Sequence, residues 1–477
     1  AVWSDGETRF AGEITARGRG EGAGGAVETS GAKVQITGTV NASSEAGKAG
    51  EWLIDPGDIE VKTRAAGDPE AGSQADVQTV TNSLNGGTSV TIQTANLTGP
   101  NDNSITVSDA ITKTAGGDAT LSLKATGSVN INADITSTAG KLNVDITSDT
   151  NHRAGGSVSV ATGKNIKTLG GNVKIGGGLT ENGIGFANSP NASAAGIDLS
   201  GAVIDTRNAG GVGGTVEMAG STTTAGKGIQ LAGTQIQAGT GKVKLVGISQ
   251  SGKGISMDTA SNIYTRTVEI RTDSIDLNGT ITGDNDPTGS AKVWTLSADK
   301  TINFGTGSGG LDLAGDTFTS GGKIRNFGRN IVGDANQKAD ITVNGVTADK
   351  NLDIDSGAGT LTVGGAVNVA AGHALTLGSQ NAIEGAGVIT SDALVLDAAA
   401  ATVNLTGTQM LGKLDGAAKG LAFKNGTNLK IGEDTGLTTA ADGADIDVTG
   451  DLTVGTHGVT NAAGAMKLKA SGTLKLD

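Results

Sequence analysis

Short apolar doublets with a spacing of two residues recur along the whole chain. Val90 and Ile92 form one, Leu121 and Leu123 another, and glycine, asparagine, aspartate or threonine follows soon after. Alternation with a period of two is typical of a strand that buries one face. The sequence therefore predicts many strands of about three to five residues. Further doublets are Ile105/Val107, Val158/Val160, Val243/Leu245, Leu352/Ile354, Leu375/Leu377 and Leu452/Val454.

The spacing of the doublets indicates a repeating architecture. They recur every 7 to 15 residues or so, and two or three of them make a coil of roughly 20–25 residues. This predicts an all-β fold, a parallel β-helix (solenoid) of roughly 20 coils. No segment keeps apolar residues at helical spacing over the roughly 10–12 residues of a typical helix, so no helix is predicted. A β-sandwich is the second interpretation, although sandwiches usually use longer strands and an aromatic core.

Composition favours a thin aliphatic core. The chain of 477 residues has 80 glycines but only three Trp, one Tyr and six Phe. Aromatic side chains bury the largest areas, so a globular core of this size would use more of them. Stacked coils need only a few small aliphatic residues in each layer. Disorder is the alternative for a chain rich in glycine, but five prolines and regularly spaced aliphatic residues argue against it.

The charge balance excludes some partners. A net charge of −13 disfavours nucleic acid, which selects basic grooves, and it disfavours an anionic membrane surface. No apolar run approaches the roughly 18 residues of a membrane helix, so no membrane insertion is expected. The chain has no cysteine. Export in an unfolded state and a cytosolic location both agree with that.

One segment interrupts the pattern of doublets. Residues 64–87 contain Pro69, several acidic residues and few aliphatic ones. We expect a loop or a boundary there. This predicts an N-terminal β-helix segment over residues 1–63 and a main β-helix rod over residues 88–477.

Four blocks in the first 60 residues carry a resemblance. They are Val2-Trp3-Ser4-Asp5-Gly6, Thr8-Arg9-Phe10-Ala11-Gly12, Gly25-Ala26-Val27-Glu28-Thr29-Ser30-Gly31 and Glu51-Trp52-Leu53-Ile54-Asp55-Pro56-Gly57-Asp58-Ile59. In this order the blocks resemble a segment of the filamentous-haemagglutinin-like exoproteins of bacterial two-partner secretion, which include the high-molecular-weight adhesins. The resemblance covers about one eighth of the chain. The remainder is similar only in composition and repeat style.

The resemblance implies a right-handed β-helix and export through an outer-membrane transporter. It also implies an adhesive or structural role at the bacterial cell surface, with a host or neighbouring-cell surface as a partner. Such proteins carry a secretion domain with Asn-Pro-Asn-type motifs, and none of the five prolines lies in that context. We therefore expect a processed form from which the secretion domain has been removed.

Candidate catalytic and metal-binding residues are sparse. Asp353/Asp355 and Asp445/Asp447 alternate along strands and are predicted to lie on a solvated outward face. A catalytic pair is the other interpretation, since sugar hydrolysis uses two carboxyl groups. The three histidines are far apart and lack metal-ligand spacing. No cofactor or catalytic residue is predicted, and only incidental calcium is left open.

The two ends of the sequence supply the candidate residues for self-association. A solenoid usually covers its terminal coils, yet the apolar pattern here runs to both ends. We expect head-to-tail stacking into filaments through Val2, Trp3, Phe10, Leu474 and Leu476, because uncovered strands invite pairing with another chain. For Phe10, as for Trp3 and Trp52, filling the first coils is the other interpretation.

Three functions follow from these expectations. The first is an extracellular structural or adhesive β-helical protein that is not an enzyme. The second is a carbohydrate-active β-helix enzyme, a polysaccharide lyase or hydrolase, which the low aromatic count opposes. The third is a passive stalk of a larger adhesin.

Overall fold

The computed structural model describes residues 1–64, 71–94, 103–153, 155–181, 183–191 and 193–476. Strands make up 56% of it and helix 2%, and long parallel ladders join strands of successive coils. This confirms the predicted all-β, parallel β-helix class. The chain divides into two compact units: residues 1–266 with 276–279, and residues 267–275 with 280–477.

The first unit contains 25 complete strands and one helix. Their bounds are β1 Val2–Phe10, β2 Glu13–Thr15, β3 Ala26–Ile36, β4 Thr39–Asn41, β5 Glu51–Asp55, β6 Ile59–Lys62, β7 Ser73–Asp76, α1 Val77–Asn85, β8 Ser89–Gln93, β9 Ile105–Val107, β10 Ile111–Lys113, β11 Ala119–Lys124, β12 Val129–Ile131, β13 Ile135–Ser137, β14 Leu142–Ser148, β15 Val158–Val160, β16 Asn165–Lys167, β17 Val173–Gly177, β18 Leu179–Glu181, β19 Ile184–Ser189, β20 Ile197–Asp198, β21 Val203–Asp205, β22 Val216–Thr222, β23 Ile229–Leu231, β24 Gln235–Ser249 and β25 Ile255–Met257.

Two strands contribute residues to both units, and the rest of the second unit follows them. The two are β26 Asn262–Thr272 and β27 Ile275–Leu277. The others are β28 Thr280–Thr282, β29 Ser290–Trp294, β30 Ile302–Gly305, β31 Leu311–Leu313, β32 Ile324–Arg325, β33 Arg329–Gly333, β34 Ile341–Asn344, β35 Val346–Ala348, β36 Asn351–Asp355, β37 Thr360–Val363, β38 Val367–Val369, β39 Ala374–Gly378, β40 Ala382–Gly385, β41 Ile389–Asn425, β42 Leu429–Ile431, β43 Leu437–Val448, β44 Leu452–Val454, β45 Val459–Asn461, β46 Met466–Ala470 and β47 Leu474–Leu476.

In the first unit, strands of successive coils pair in register and form three stacks. Leu121 of β11 lies between Val90 of β8 and Val144 of β14, and all three side chains are fully buried. Because a parallel ladder aligns like positions, the doublets of one coil continue the aliphatic column of the next. The stacks run β8–β11–β14–β17–β22–β24, β9–β12–β15–β20–β23–β25 and β10–β13–β16–β21–β24.

The second unit repeats this arrangement with its own strands. Ile354 of β36 lies between Val332 of β33 and Leu377 of β39, and Leu377 is followed by Leu396 of β41. The Ala374 amide donates to the Asn351 side chain, 23 residues earlier. That separation is one coil, and it agrees with the predicted coil length.

A helix takes the place of a strand in the first unit. α1 contacts β10, which begins the third stack, and β4, which pairs with β2 in a separate two-stranded sheet. Asp76 caps its first turn by accepting from the Gln78 amide, and Val77, Val80 and Leu84 are buried. The prediction that residues 64–87 form a loop or boundary is therefore wrong for 73–85, which form β7 and α1; Pro69 lies outside the described residues. The prediction that the chain has no helix was wrong as well. The nine residues of α1 are fewer than the roughly 10–12 over which helical spacing of apolar residues becomes visible.

A hairpin forms part of the β17–β20 coil. β18 and β19 pair antiparallel, with Thr180 opposite Gly185, and β19 then pairs in parallel with β22. The excursion lengthens this coil, so Val173 of β17 finds its next partner, Val216, much further along the chain.

Candidate functional sites

The aromatic residues of the exoprotein-like segment fill the first coils. Trp52 on β5 is fully buried, and its indole Nε1 donates to Thr29 Oγ1 at 3.0 Å. Phe10 on β1 packs against it edge to face, with 6.1 Å between ring centroids. Only 7% of Phe10 is exposed. The prediction of Phe10 as a self-association residue is therefore wrong, because its ring belongs to the core.

Val2 and Trp3 lie on the exposed part of the same strand. Trp3 is 63% exposed and Val2 is 39% exposed. β1 pairs with β3, where Trp3 lies opposite Ser30. Phe10 is buried further along β1, whereas Trp3 on the same strand is exposed to solvent.

Leu474 and Leu476 lie one coil after a buried leucine and a half-buried valine. On β47 they pair with Leu452 and Val454 of β44. Leu452 is fully buried, whereas Leu474 is 49% and Leu476 75% exposed. The two leucines thus share an exposed strand, while Val2 and Trp3 share another in the other unit.

Asp445 and Asp447 lie on a solvated face, as the sequence predicted. They pair across the ladder with Lys467 and Lys469, and each carboxylate is 3.1 Å from the lysine Nζ. All four side chains are substantially exposed. Exposed pairs of this kind are worth little individually, on the order of 0–1 kcal/mol.

Asp353 and Asp355 differ from that picture. Asp353 is buried and forms an ion pair with the Arg329 guanidinium, so the expectation of a solvated face is wrong for this residue. Asp355 accepts from the Gly357 amide at 2.9 Å. Burial raises the pKa of Asp355, and the nearby charges of Asp397 and Asp334 raise it further. The sequence could not show this, because neither Arg329 nor the neighbouring acids are close in the chain.

Asp334 lies near Asp355 and forms an ion pair with Lys292. Its carboxylate lies 2.5 Å from Lys292 Nζ and accepts from the Asn336 amide. Burial alone would raise the pKa of Asp334, but the hydrogen bonds from Lys292 and Asn336 hold it below its ordinary value. The Lys292 ammonium also lies 4.5 Å from the centre of the Trp294 ring.

Lys113 is a residue that the sequence analysis missed. It ends β10, is fully buried, and its Nζ donates to the carbonyl oxygens of Ala115 at 2.7 Å, Gly116 at 3.3 Å and Ala139. Burial lowers the pKa of Lys113. The lysine follows Ile111 at the spacing of an apolar doublet, and that position was the available signal.

The described residues contain no group of three or more His, Asp or Glu side chains that could hold a metal ion. Of the histidines, His457 Nδ1 lies 2.9 Å from the carbonyl oxygen of Glu433. Incidental calcium stays a prediction.

Within the described residues, no helix has the length and apolar character needed to cross a membrane. Comparison with known proteins adds no relative: neither a protein-family model nor a curated protein matches this chain. The resemblance of residues 1–60 to the two-partner-secretion exoproteins therefore stays a prediction that depends on the four blocks themselves.

Proposed function

We propose that this chain is a structural or adhesive β-helical protein of the bacterial cell surface, exported through an outer-membrane transporter. The observation that carries the proposal is the continuous pairing of β1, β3, β5 and β8. This pairing builds the exoprotein-like segment into the ladder that the later strands extend. Stacked coils bury a narrow aliphatic core and present extended outer surfaces, which repeat proteins use for binding.

The first partner in this proposal is a second copy of the chain. Leu474 and Leu476 are exposed on β47, although Leu474 pairs with the buried Leu452. Trp3 is exposed on β1. Apolar side chains on a strand suit pairing with another strand of the same spacing. A contact between two different surfaces propagates into a filament when its rotation does not close into a ring.

Sedimentation velocity and electron microscopy of the 477-residue chain test this assembly. We expect species that grow with concentration, and their loss in the double variant Leu474→Lys/Leu476→Lys, because lysine opposes burial of the strand. Val212 is similarly exposed, at 54%, so Val212→Lys is the matched control and should assemble normally. A single monomeric species at every concentration, or equal assembly of all three proteins, would contradict the proposal.

Adhesion is tested separately with fluorescent beads. Beads coated with the chain should be retained on layers of host or neighbouring bacterial cells several-fold more than beads coated with albumin. Equal retention would remove the adhesive role and leave the structural one. A passive stalk would likewise give no retention.

The second candidate is an enzyme that acts on extracellular polysaccharide, and Asp355 favours it. A half-buried carboxyl group with a raised pKa is suited to act as a general acid. Reducing-end or unsaturated-sugar assays on pectin, hyaluronan and alginate test this, with Asp355→Asn as the inactive variant. If the unaltered chain releases no product from these polymers, the proposal fails for these substrates; release that survives Asp355→Asn removes Asp355 from the mechanism.

A further inference from the structure

Lys292 and Asp334 form an ion pair between two neighbouring coils of the second unit. Lys292 lies on β29 and Asp334 follows β33, and these two strands pair in parallel. The Lys292 Nζ lies 2.5 Å from Asp334 Oδ2, although the two residues are 42 positions apart in the chain. The fold thus places an amine in direct contact with a carboxyl group, and these are the two reactants of an amide bond.

The other oxygen of the Asp334 carboxylate is held by two N–H donors. Asp334 Oδ1 accepts from the Asn336 backbone amide at 2.9 Å and from Asn336 Nδ2 at 2.7 Å. Donors in fixed positions stabilise the negative charge that a carboxyl oxygen gains when a nucleophile attacks the carbon. The two oxygens therefore differ, because Oδ2 contacts the amine while Oδ1 is held by the donors.

The pair is partly shielded from water. The Lys292 Nζ lies 4.5 Å from the centre of the Trp294 ring. The side chains of Lys292 and Asp334 are 27% and 20% exposed, whereas those of Lys467 and Asp445 are 65% and 55% exposed. Partial enclosure strengthens the interactions within the pair and keeps the amine beside the carboxyl group.

Asp355 is a third carboxyl group beside this pair. The Asp334 backbone amide donates to the Asp355 carbonyl at 2.9 Å, and the charges of Asp334 and Lys292 both act on the Asp355 side chain. Burial raises the pKa of Asp355, so this group keeps its proton at a higher pH than an exposed aspartate does. Such a carboxyl group is suited to relay protons from an attacking amine to a leaving oxygen.

We propose that the side chains of Lys292 and Asp334 join in an amide bond, which links β29 covalently to the coil of β33. The ammonium first passes one proton to Oδ2, which gives a neutral amine and a carboxylic acid. The Nζ lone pair then forms a bond to Cγ, the second proton moves to Oδ2, and the bond from Cγ to Oδ2 breaks with release of water. Oδ1 stays as the amide oxygen, so the step needs no other reactant. Asp355 speeds these transfers but is not indispensable, because Nζ already contacts Oδ2.

Folding supplies the driving force for this condensation. Two groups held in a productive geometry react as though each were present at an effective concentration of about 10⁵–10⁸ M. The bond closes a loop between residues 42 positions apart, and this loop contains β30, β31 and β32. The crosslink therefore keeps these strands attached to the stack when neighbouring hydrogen bonds open. It does not depend on the proposed cell-surface function.

Mass spectrometry of the full chain after unfolding tests the bond. We expect an intact mass lower than the sequence mass by one water molecule. Trypsin does not cleave after an acylated lysine, so a branched peptide should join residues 272–300 to residues 330–338. The full sequence mass with two separate peptides would overturn the proposal. A water loss without the branched peptide would overturn it too, because it would indicate a succinimide at an aspartate.

Three variants assign the bond to this pair. Lys292→Arg keeps the positive charge but has no primary amine, and Asp334→Ala removes the carboxyl group, so both should have their full sequence mass. Lys413→Arg is the matched control and should still lose one water, because Lys413 pairs with the more exposed Asp434 and contacts both of its oxygens. Circular dichroism checks that each variant is folded. A water loss that persists in Lys292→Arg or Asp334→Ala, or that disappears in Lys413→Arg, would contradict the proposal.

Discussion

The burial and the charge of single residues in this fold depend on which side chains the neighbouring coils place beside them. Trp52 and Phe10 are buried because β5 and β1 flank β3, and the edge-to-face contact joins two non-adjacent coils. Asp353 is neutralised by Arg329 in the same way, across a ladder. Burial and charge therefore depend on register more than on neighbours in sequence.

Asp355 makes stability depend on pH. Its pKa is raised in the folded state, so the folded chain holds a proton that the unfolded chain has lost between the ordinary and the raised value. Stability is thus fully present below the ordinary pKa and falls as pH rises through the raised one. We expect Asp355→Asn to be more stable at neutral pH, by less than about 1 kcal/mol because the group is partly solvated, and to lose this advantage in acid.

Urea unfolding of both proteins as a function of pH measures this difference. Asparagine keeps an oxygen that can accept from the Gly357 amide, so packing is conserved. Asp447→Asn on the solvated face, which would instead lose an exposed pair with Lys469, is the control and should not become more stable. A variant of Asp355 that is less stable at neutral pH would refute the burial argument.

Among the elements, α1 is the exception to the ladder. A helix satisfies its own backbone groups, so the strands on either side of it lose ladder partners there. Other groups supply part of the compensation: Asn85 Oδ1 accepts from the amides of Thr114 and Ala115, just after β10. The helix therefore depends on its caps and on the buried Val77, Val80 and Leu84.

Removing the N-cap should loosen this element. Asp76→Ala deletes the acceptor for the Gln78 amide, which is 2.9 Å away. Loss of such a cap costs about 0.5–2 kcal/mol. Hydrogen exchange should quicken by about tenfold in α1, while Asp5→Ala, at an exposed position of β1, should leave α1 unchanged. Unaltered exchange in α1 would mean that packing alone holds the helix.

At the scale of the whole chain, each compact unit builds its core from its own stacked coils. Coils contact mainly the coils before and after them, so stability is close to a sum of nearest-neighbour terms. The high glycine count and the few aromatic residues agree with a core of stacked coils, since each layer needs only small aliphatic side chains.

A cavity created in one coil should therefore reduce stability mainly in that coil and its neighbours. Leu123 of β11 is fully buried between Ile92 and Ile146. Leu123→Ala should cost about 2–5 kcal/mol. Native-state hydrogen exchange should show the largest loss of protection in β8, β11 and β14, and a smaller one in β22.

Thr120 faces outward on β11, so Thr120→Ala is the matched control and should change protection little. Uniform loss across the first unit in Leu123→Ala would show that the unit unfolds as one cooperative block.

The class of fold follows from the amino-acid sequence alone. Apolar doublets such as Leu121/Leu123 and Leu352/Ile354 predict strands, and their spacing predicts coils of about the length observed. Both signals are local and repeat many times, because every coil buries its apolar side chains in the same way. The solvated pairs at Asp445 and Asp447 were predictable for the same reason.

The features that occur once depend on the tertiary structure. The helix at residues 77–85, the burial of Phe10, the pairing of Asp353 with Arg329 and the edge-to-face contact of Phe304 with Phe318 all depend on which coils are adjacent. Partners in such a stack are commonly 20 or more residues apart in the chain. A pattern read along one strand shows which side chains face inward, but only the stacking of coils shows what each of them meets.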